Sequence, residues 1–99
     1  MKKYNYLDEV RFSIDEIDDK IINLIAKRKQ LVVEAVKLKN RDQIVDQKRI
    51  DEILTDLKKK AKVKNLPDGL VEKLWKAMIE EFIRYEREFF DEIHNHKKG

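Results

Sequence analysis

Apolar residues recur at alternating steps of four and three through the first third of the chain. Val10, Ile14, Ile17, Ile21, Leu24, Leu31, Ala35 and Leu38 share one side of a helix. Such a seam packs against other helices along its whole length, and it predicts a helix over about residues 7–40. One position is out of place: Arg28 stands where the pattern asks for an apolar side chain. Lys39 follows eleven residues later. At about 100° per residue it returns to within about 20° of Arg28, three turns further on. Val32 and Ala35, both small, lie between them on the same stripe. This face presents a cation, a shallow apolar floor and a second cation, the outline of a seat for a compact anion.

The rest of the chain divides cleanly. Asn40 to Val45 is polar with little periodicity and reads as a loop. Asp46 is a suitable N-cap for a second helix, which continues through Ile50, Ile53, Leu54 and Leu57 to about Val63. Asn65-Leu66-Pro67-Asp68-Gly69 is the clearest break. A third helix follows, from about Asp68 to Ile93. Val71, Leu74, Met78, Phe82, Tyr85 and Phe89 form one apolar stripe on it, and Trp75, Ile79, Phe82, Phe90 and Ile93 form its neighbour. The tail from His94 to Gly99 is polar and expected to fray.

The pattern predicts an all-α protein: one domain over residues 1–99, with its core between about 7 and 93. At 1.5 Å per residue the first helix is about 50 Å long, whereas a compact chain of this size has a radius of gyration near 13 Å. One protomer cannot cover that helix from end to end. The simplest solution is a three-helix protomer with a long first helix in an intertwined homodimer.

Composition narrows the chemistry. Of 99 residues, 43% are charged and 41% hydrophobic, with two Gly and one Pro, which suits long helices with solvated outer faces. Cys is absent, which excludes disulfides and thiolate metal sites. His94 and His96 lack a third ligand nearby in sequence, so no metal site is expected. The net charge of +3 raises the question of nucleic acid. Acids and bases alternate along most of the chain, however, as on helix faces laced by i,i+4 pairs. The Lys58-Lys59-Lys60 run falls at a helix C-terminus, where cations suit the helix dipole, and no aromatic interleaves it. Neither nucleic acid nor a membrane is an expected partner. The start of the chain lacks the apolar segment of a secretory leader, and a cytoplasmic location is expected.

Two ionisable residues, Arg28 and Glu86, occupy apolar positions on different helices. Glu86 lies four residues from both Phe82 and Phe90, where a carboxylate is costly unless paired or protonated. A buried Arg–Glu pair that fixes helix register is the structural explanation, but it leaves Lys39 unaccounted for. Arg11 is rotated by about 100° from the Arg28 stripe and lies about 25 Å away along the axis. It cannot serve the same pocket from the same chain. It either completes a partner's pocket in an antiparallel dimer or pairs at the surface with Asp8 or Asp15. Asp46 and Arg49, at the start of the second helix, could add a hydroxyl acceptor and another anion contact.

These residues carry a resemblance. Val10-Arg11-Phe12-Ser13-Ile14-Asp15-Glu16-Ile17-Asp18, followed by Arg28 and Lys39, resembles the opening signature of the all-helical chorismate mutase family. Asp46-Gln47-Lys48-Arg49 resembles that family's entry to its second helix, and Met78 to Glu86 its third-helix segment. The likeness spans about residues 7–93. It implies an intertwined dimer with two equivalent sites, chorismate as substrate, prephenate as product and no cofactor. It also implies that Arg28 and the partner subunit's Arg11 bind the two substrate carboxylates. Lys39 and position 86 then address the ether oxygen, Asp46 the ring hydroxyl, and Arg49 the carboxylate region.

Three positions depart from the family's commonest pattern. Glu86 stands where Gln is frequent; an ionised carboxylate cannot donate to an ether oxygen, so the resemblance implies that Glu86 works protonated. Ile50 replaces a Glu, and Phe82 replaces a small polar residue, which makes the pocket more apolar. Both changes also resemble the family's isochorismate-pyruvate lyase branch. That branch or an amino-chorismate mutase is the enzymatic alternative. A non-catalytic helical dimer that binds protein or nucleic acid is the alternative of another class.

Overall fold

The computed structural model describes residues 3–96, with side chains up to His94. Helix α1 spans Leu7–Leu38, α2 Gln47–Val63 and α3 Leu70–His96, with a short 3-10 turn at Arg41–Gln43. No strand occurs among the described residues. The protein is all-α with three helices, the first of them long, as the pattern predicts. The chain falls into two compact units, one up to Leu31 and one from Val32 onward.

The first unit is the larger part of α1 with a short N-terminal arm. Asp8 and Glu9 occupy the first turn, where acids suit the helix dipole. The Glu9 carboxylate accepts from the Asn5 backbone N–H at 3.1 Å, and Tyr4 donates its hydroxyl to Ser13 Oγ at 3.0 Å. The seam itself is open to solvent. Ile14, Ile17, Ile21, Leu24 and Leu31 are 47–71% exposed.

The second unit holds the buried residues. Val36, Ile44 and Ile79 are buried, together with one charged side chain, Glu86. Helix α2 packs on α3 through its half-buried face of Ile50, Ile53, Leu54, Leu57 and Ala61. On α3 the inward face is Trp75, Ile79, Phe82, Ile83, Glu86, Phe90 and Ile93, all buried or half-buried. Leu74, from the other expected stripe, is 56% exposed.

The helix ends have local causes. Helix α1 stops two residues before the expected Asn40. The Lys39 N–H bonds back only three residues, to Val36 O at 3.2 Å, and Asn40 turns extended at φ −83°, ψ 161°. The expected loop contains the 3-10 turn, closed by Gln43 N–H to Asn40 O at 3.0 Å and Asn40 N–H to Gln43 Oε1 at 2.7 Å. Helix α2 ends in a Schellman arrangement. Leu66 N–H reaches Ala61 O and Asn65 N–H reaches Lys62 O, with Asn65 left-handed at φ 55°. Gly69 follows at φ 80°, a conformation costly for any residue with a Cβ. That bend delays α3 to Leu70 rather than the expected Asp68.

Helix α3 runs past the expected Ile93. His94 is helical, and its ring tilts against Phe90 with centroids 4.1 Å apart. Residues 97–99 and the His96 side chain lie outside the described residues, and so do the rest of the expected fraying and the His94–His96 metal reading.

Candidate active site

The end of α1 and the middle of α3 meet at a charge pair. Glu86 is 7% exposed, on the α3 face that also carries Ile79 and Phe82. Its Oε1 accepts a hydrogen bond from Lys39 Nζ at 3.0 Å. The Lys39 side chain keeps 30% of its surface exposed and that of Glu86 only 9%. The cation thus faces solvent on one side while the carboxylate is enclosed. A carboxylate at an apolar position requires a partner, and Lys39 supplies one.

Other expected residues of the second unit take distinct places. Val32 and Ala35 are half-buried on α1, two turns and one turn before Lys39. Asp46 caps α2, its Oδ1 accepting the Arg49 N–H at 3.1 Å. The other carboxylate oxygen keeps acceptor capacity. Arg49 is exposed in the first turn of α2, with Ile50 half-buried beside it and Phe82 half-buried on α3.

The first unit carries the remaining two cations. Arg28 is half-buried between the exposed Leu24 and Leu31 of its own seam, and its Nη1 is shielded from solvent. Arg11 is exposed, with Nη1 3.8 Å from Asp8 Oδ1. That is the surface pair anticipated for it, and at that distance and exposure it holds the arginine only weakly.

Outside this site the charges behave as solvated helix faces. Lys37–Glu34 at 3.2 Å, Lys60–Asp56 at 2.8 Å and Arg84–Glu81 at 2.7 Å are i,i+3 or i,i+4 pairs. The Arg84 guanidinium is held above its ordinary range by its hydrogen bond to Glu81 and by the charges of Glu81 and Glu88. A groove of about 520 Å³ at the α2–α3 turn places Lys58 and Lys62 with Asp68 and Glu72. Its mixed signs do not suit a dianion. No helix among the described residues is long and apolar enough to cross a membrane.

Sequence reasoning missed three residues. Val36, at 2% exposure the most deeply buried of the described residues, lies off the four-three seam. Ile44 is buried at 4% from within the polar loop; its signal is the branched pair Ile44-Val45 among polar residues, of which Val45 stays 41% exposed. The third is Arg41, whose guanidinium pairs with Asp91 on α3.

Residues 10–87 match the family model described as chorismate mutase type II. The chain is 32% identical over 94 residues to a protein named chorismate mutase from Methanocaldococcus jannaschii, covering 93% of this chain and 95% of that one. It is 32% identical over 97 residues to a bifunctional chorismate mutase/prephenate dehydratase from Buchnera aphidicola subsp. Schizaphis graminum. That match covers 96% of this chain and 25% of the relative. No solved structure gives a significant match.

Proposed function

The chain belongs to the chorismate mutase type II family, and from that premise we propose that it rearranges chorismate to prephenate at the Lys39–Glu86 pair. The observation that carries this reading is the 3.0 Å hydrogen bond from Lys39 to a buried carboxylate. It sets an ammonium and a potential carboxylic acid side by side.

Chorismate is a compact dianion. In its rearrangement an ether C–O bond breaks as a C–C bond forms within the same molecule. Every atom of the product comes from the substrate, so the reaction calls for no nucleophile or co-reactant. What a protein can contribute is selection of the folded conformer and stabilisation of the negative charge that develops on the ether oxygen. Lys39 donates to that oxygen. Glu86, protonated once the dianion is beside it, donates as well. A bound dianion opposes an ionised carboxylate nearby and favours its neutral form.

Arg28 and the partner subunit's Arg11 hold the two carboxylates, Arg49 supports the carboxylate region, and Asp46 accepts from the ring hydroxyl. Val32, Ala35, Ile50 and Phe82 supply apolar walls. The reading includes a single-domain protomer in an intertwined homodimer, acting in the cytoplasm. The exposed α1 seam supports the dimer: Ile14, Ile17, Ile21 and Leu24 form one apolar stripe open to solvent, and such stripes mark association surfaces.

The test is product identification with purified protein given chorismate and, separately, isochorismate. Prephenate from chorismate supports the reading. The apolar, half-buried Ile50 and Phe82 favour the lyase as the alternative, and pyruvate with salicylate from isochorismate would establish it.

A further inference from the structure

Lys39 sits on a short segment between the end of α1 and the capped start of α2, and that segment has a second tie to α3. The Arg41 guanidinium pairs with Asp91, two residues after Lys39 on the segment and five after Glu86 on the helix. Five residues of helix rise about 7.5 Å, and two residues of extended chain span about 7 Å. The two ties therefore match in spacing and hold the segment along the helix axis. Ile44, buried at 4%, pins its far end, and the 3-10 turn between closes on itself through the Asn40–Gln43 bonds.

The pairing is not the one that local spacing offers. Arg87 lies four residues before Asp91 on α3, at the i,i+4 spacing that pairs along a helix. Arg87 and Arg41 both line a groove of about 590 Å³ with Asp42 and Val45. Asp91 nevertheless pairs across to the segment. A contact between elements has been formed where a contact within one was available.

We infer that Arg41 and Asp91 form a positioning clamp that holds Lys39 in register with Glu86. This inference rests on the chorismate mutase reading for its catalytic consequence, though not for its geometry. During the reaction Lys39 must turn from Glu86 to the substrate, which loosens one of the two ties. The Arg41–Asp91 pair touches neither the substrate nor the reacting atoms, so it persists through that exchange. It keeps the lysine backbone fixed while the ammonium changes partner. Both side chains are about half-exposed, so the clamp contributes little to stability. Its effect is on placement, to which reaction rates are sensitive.

The test combines kinetics with a measurement that needs no turnover. Asp91→Asn and Arg41→Gln are expected to lower kcat roughly two- to fivefold, the factor that corresponds to an exposed ion pair, with KM nearly unchanged. The exchanged pair Arg41→Asp/Asp91→Arg restores much of the loss. In a Lys39→Ala background Asp91→Asn has no further effect. An equal loss with and without Lys39, or no loss at all, overturns the clamp. Independently, the 15N signal of the Lys39 ammonium is expected to broaden in Asp91→Asn through faster exchange with water. An unchanged signal also overturns the clamp. If the wild type does not turn over chorismate while that signal still depends on Asp91, the functional reading fails and the clamp stands.

Discussion

Lys39 Nζ donates to Glu86 Oε1 at 3.0 Å, joining a half-exposed cation at the end of α1 to a buried carboxylate in the middle of α3. In the free protein this pair neutralises a charge that burial would otherwise penalise. In the proposed complex the same carboxyl donates rather than accepts.

The sign of the pH dependence follows. On the proposed reading Glu86 donates to the ether oxygen, which only a protonated carboxyl can do. A pH–rate profile for the wild type should decline above neutrality. Glu86→Gln, which donates at every pH, should flatten that decline. An identical decline in the Gln variant removes Glu86 from this role.

The cap that Asp46 makes can be separated from its proposed contact with the ring hydroxyl. Its Oδ1 caps α2 through the Arg49 N–H, so Asp46→Ala should destabilise the protein by about 1 kcal/mol, measured by urea unfolding. Asp46→Asn keeps the cap and should unfold like the wild type. Asn can also accept from a hydroxyl but lacks the charge. A weaker substrate affinity without a stability loss would assign the carboxylate to the ring hydroxyl.

The open seam of α1 makes a prediction about assembly. Ile17 is 55% exposed and Ile21 47% exposed in the protomer. Ile17→Asp would place a charge in the middle of the stripe, where burial against a partner helix is costly. The wild type should elute and scatter light as a dimer, and Ile17→Asp as a monomer with little activity. A wild type that is monomeric at assay concentrations contradicts the intertwined arrangement.

Sharing of sites can be read from mixed subunits. Arg11→Ala and Arg28→Ala homodimers should each lose most activity. Unfolded together and refolded as heterodimers, they should regain one intact site in two, because both lesions then fall in the same pocket and leave the other complete. No recovery would place Arg11 outside the partner's site.

Much of this architecture is legible in the sequence because it is local. The seam of α1, the Asp46 cap and the Asn65–Gly69 break are set by residues within a few positions of one another, and the structure follows them closely. Glu86 was legible as an anomaly: a carboxylate inside an apolar stripe has to be paired or protonated. Periodicity does not reveal its partner, because Lys39 is 47 residues away on another element; only the family resemblance set Lys39 and position 86 at one ether oxygen. Arg41–Asp91 is hidden for the same reason. Ile44 and Val36 were missed on other grounds. Ile44 is buried from a loop, where no period exists to reveal it. Val36 lies off the four-three seam that runs along α1.

The most direct measurement is the steady-state rate of Lys39→Ala on chorismate beside the wild type, with oligomeric state and helicity recorded for both. Removing Lys39 leaves the buried Glu86 carboxylate without this partner, which costs stability, so the rates are compared where helicity and oligomeric state match the wild type. If it stabilises the developing charge on the ether oxygen, kcat/KM falls by about 10²–10³, the usual loss for one preorganised donor. Prephenate formation within a factor of about two of the wild type, by a variant of unchanged fold, would contradict the account.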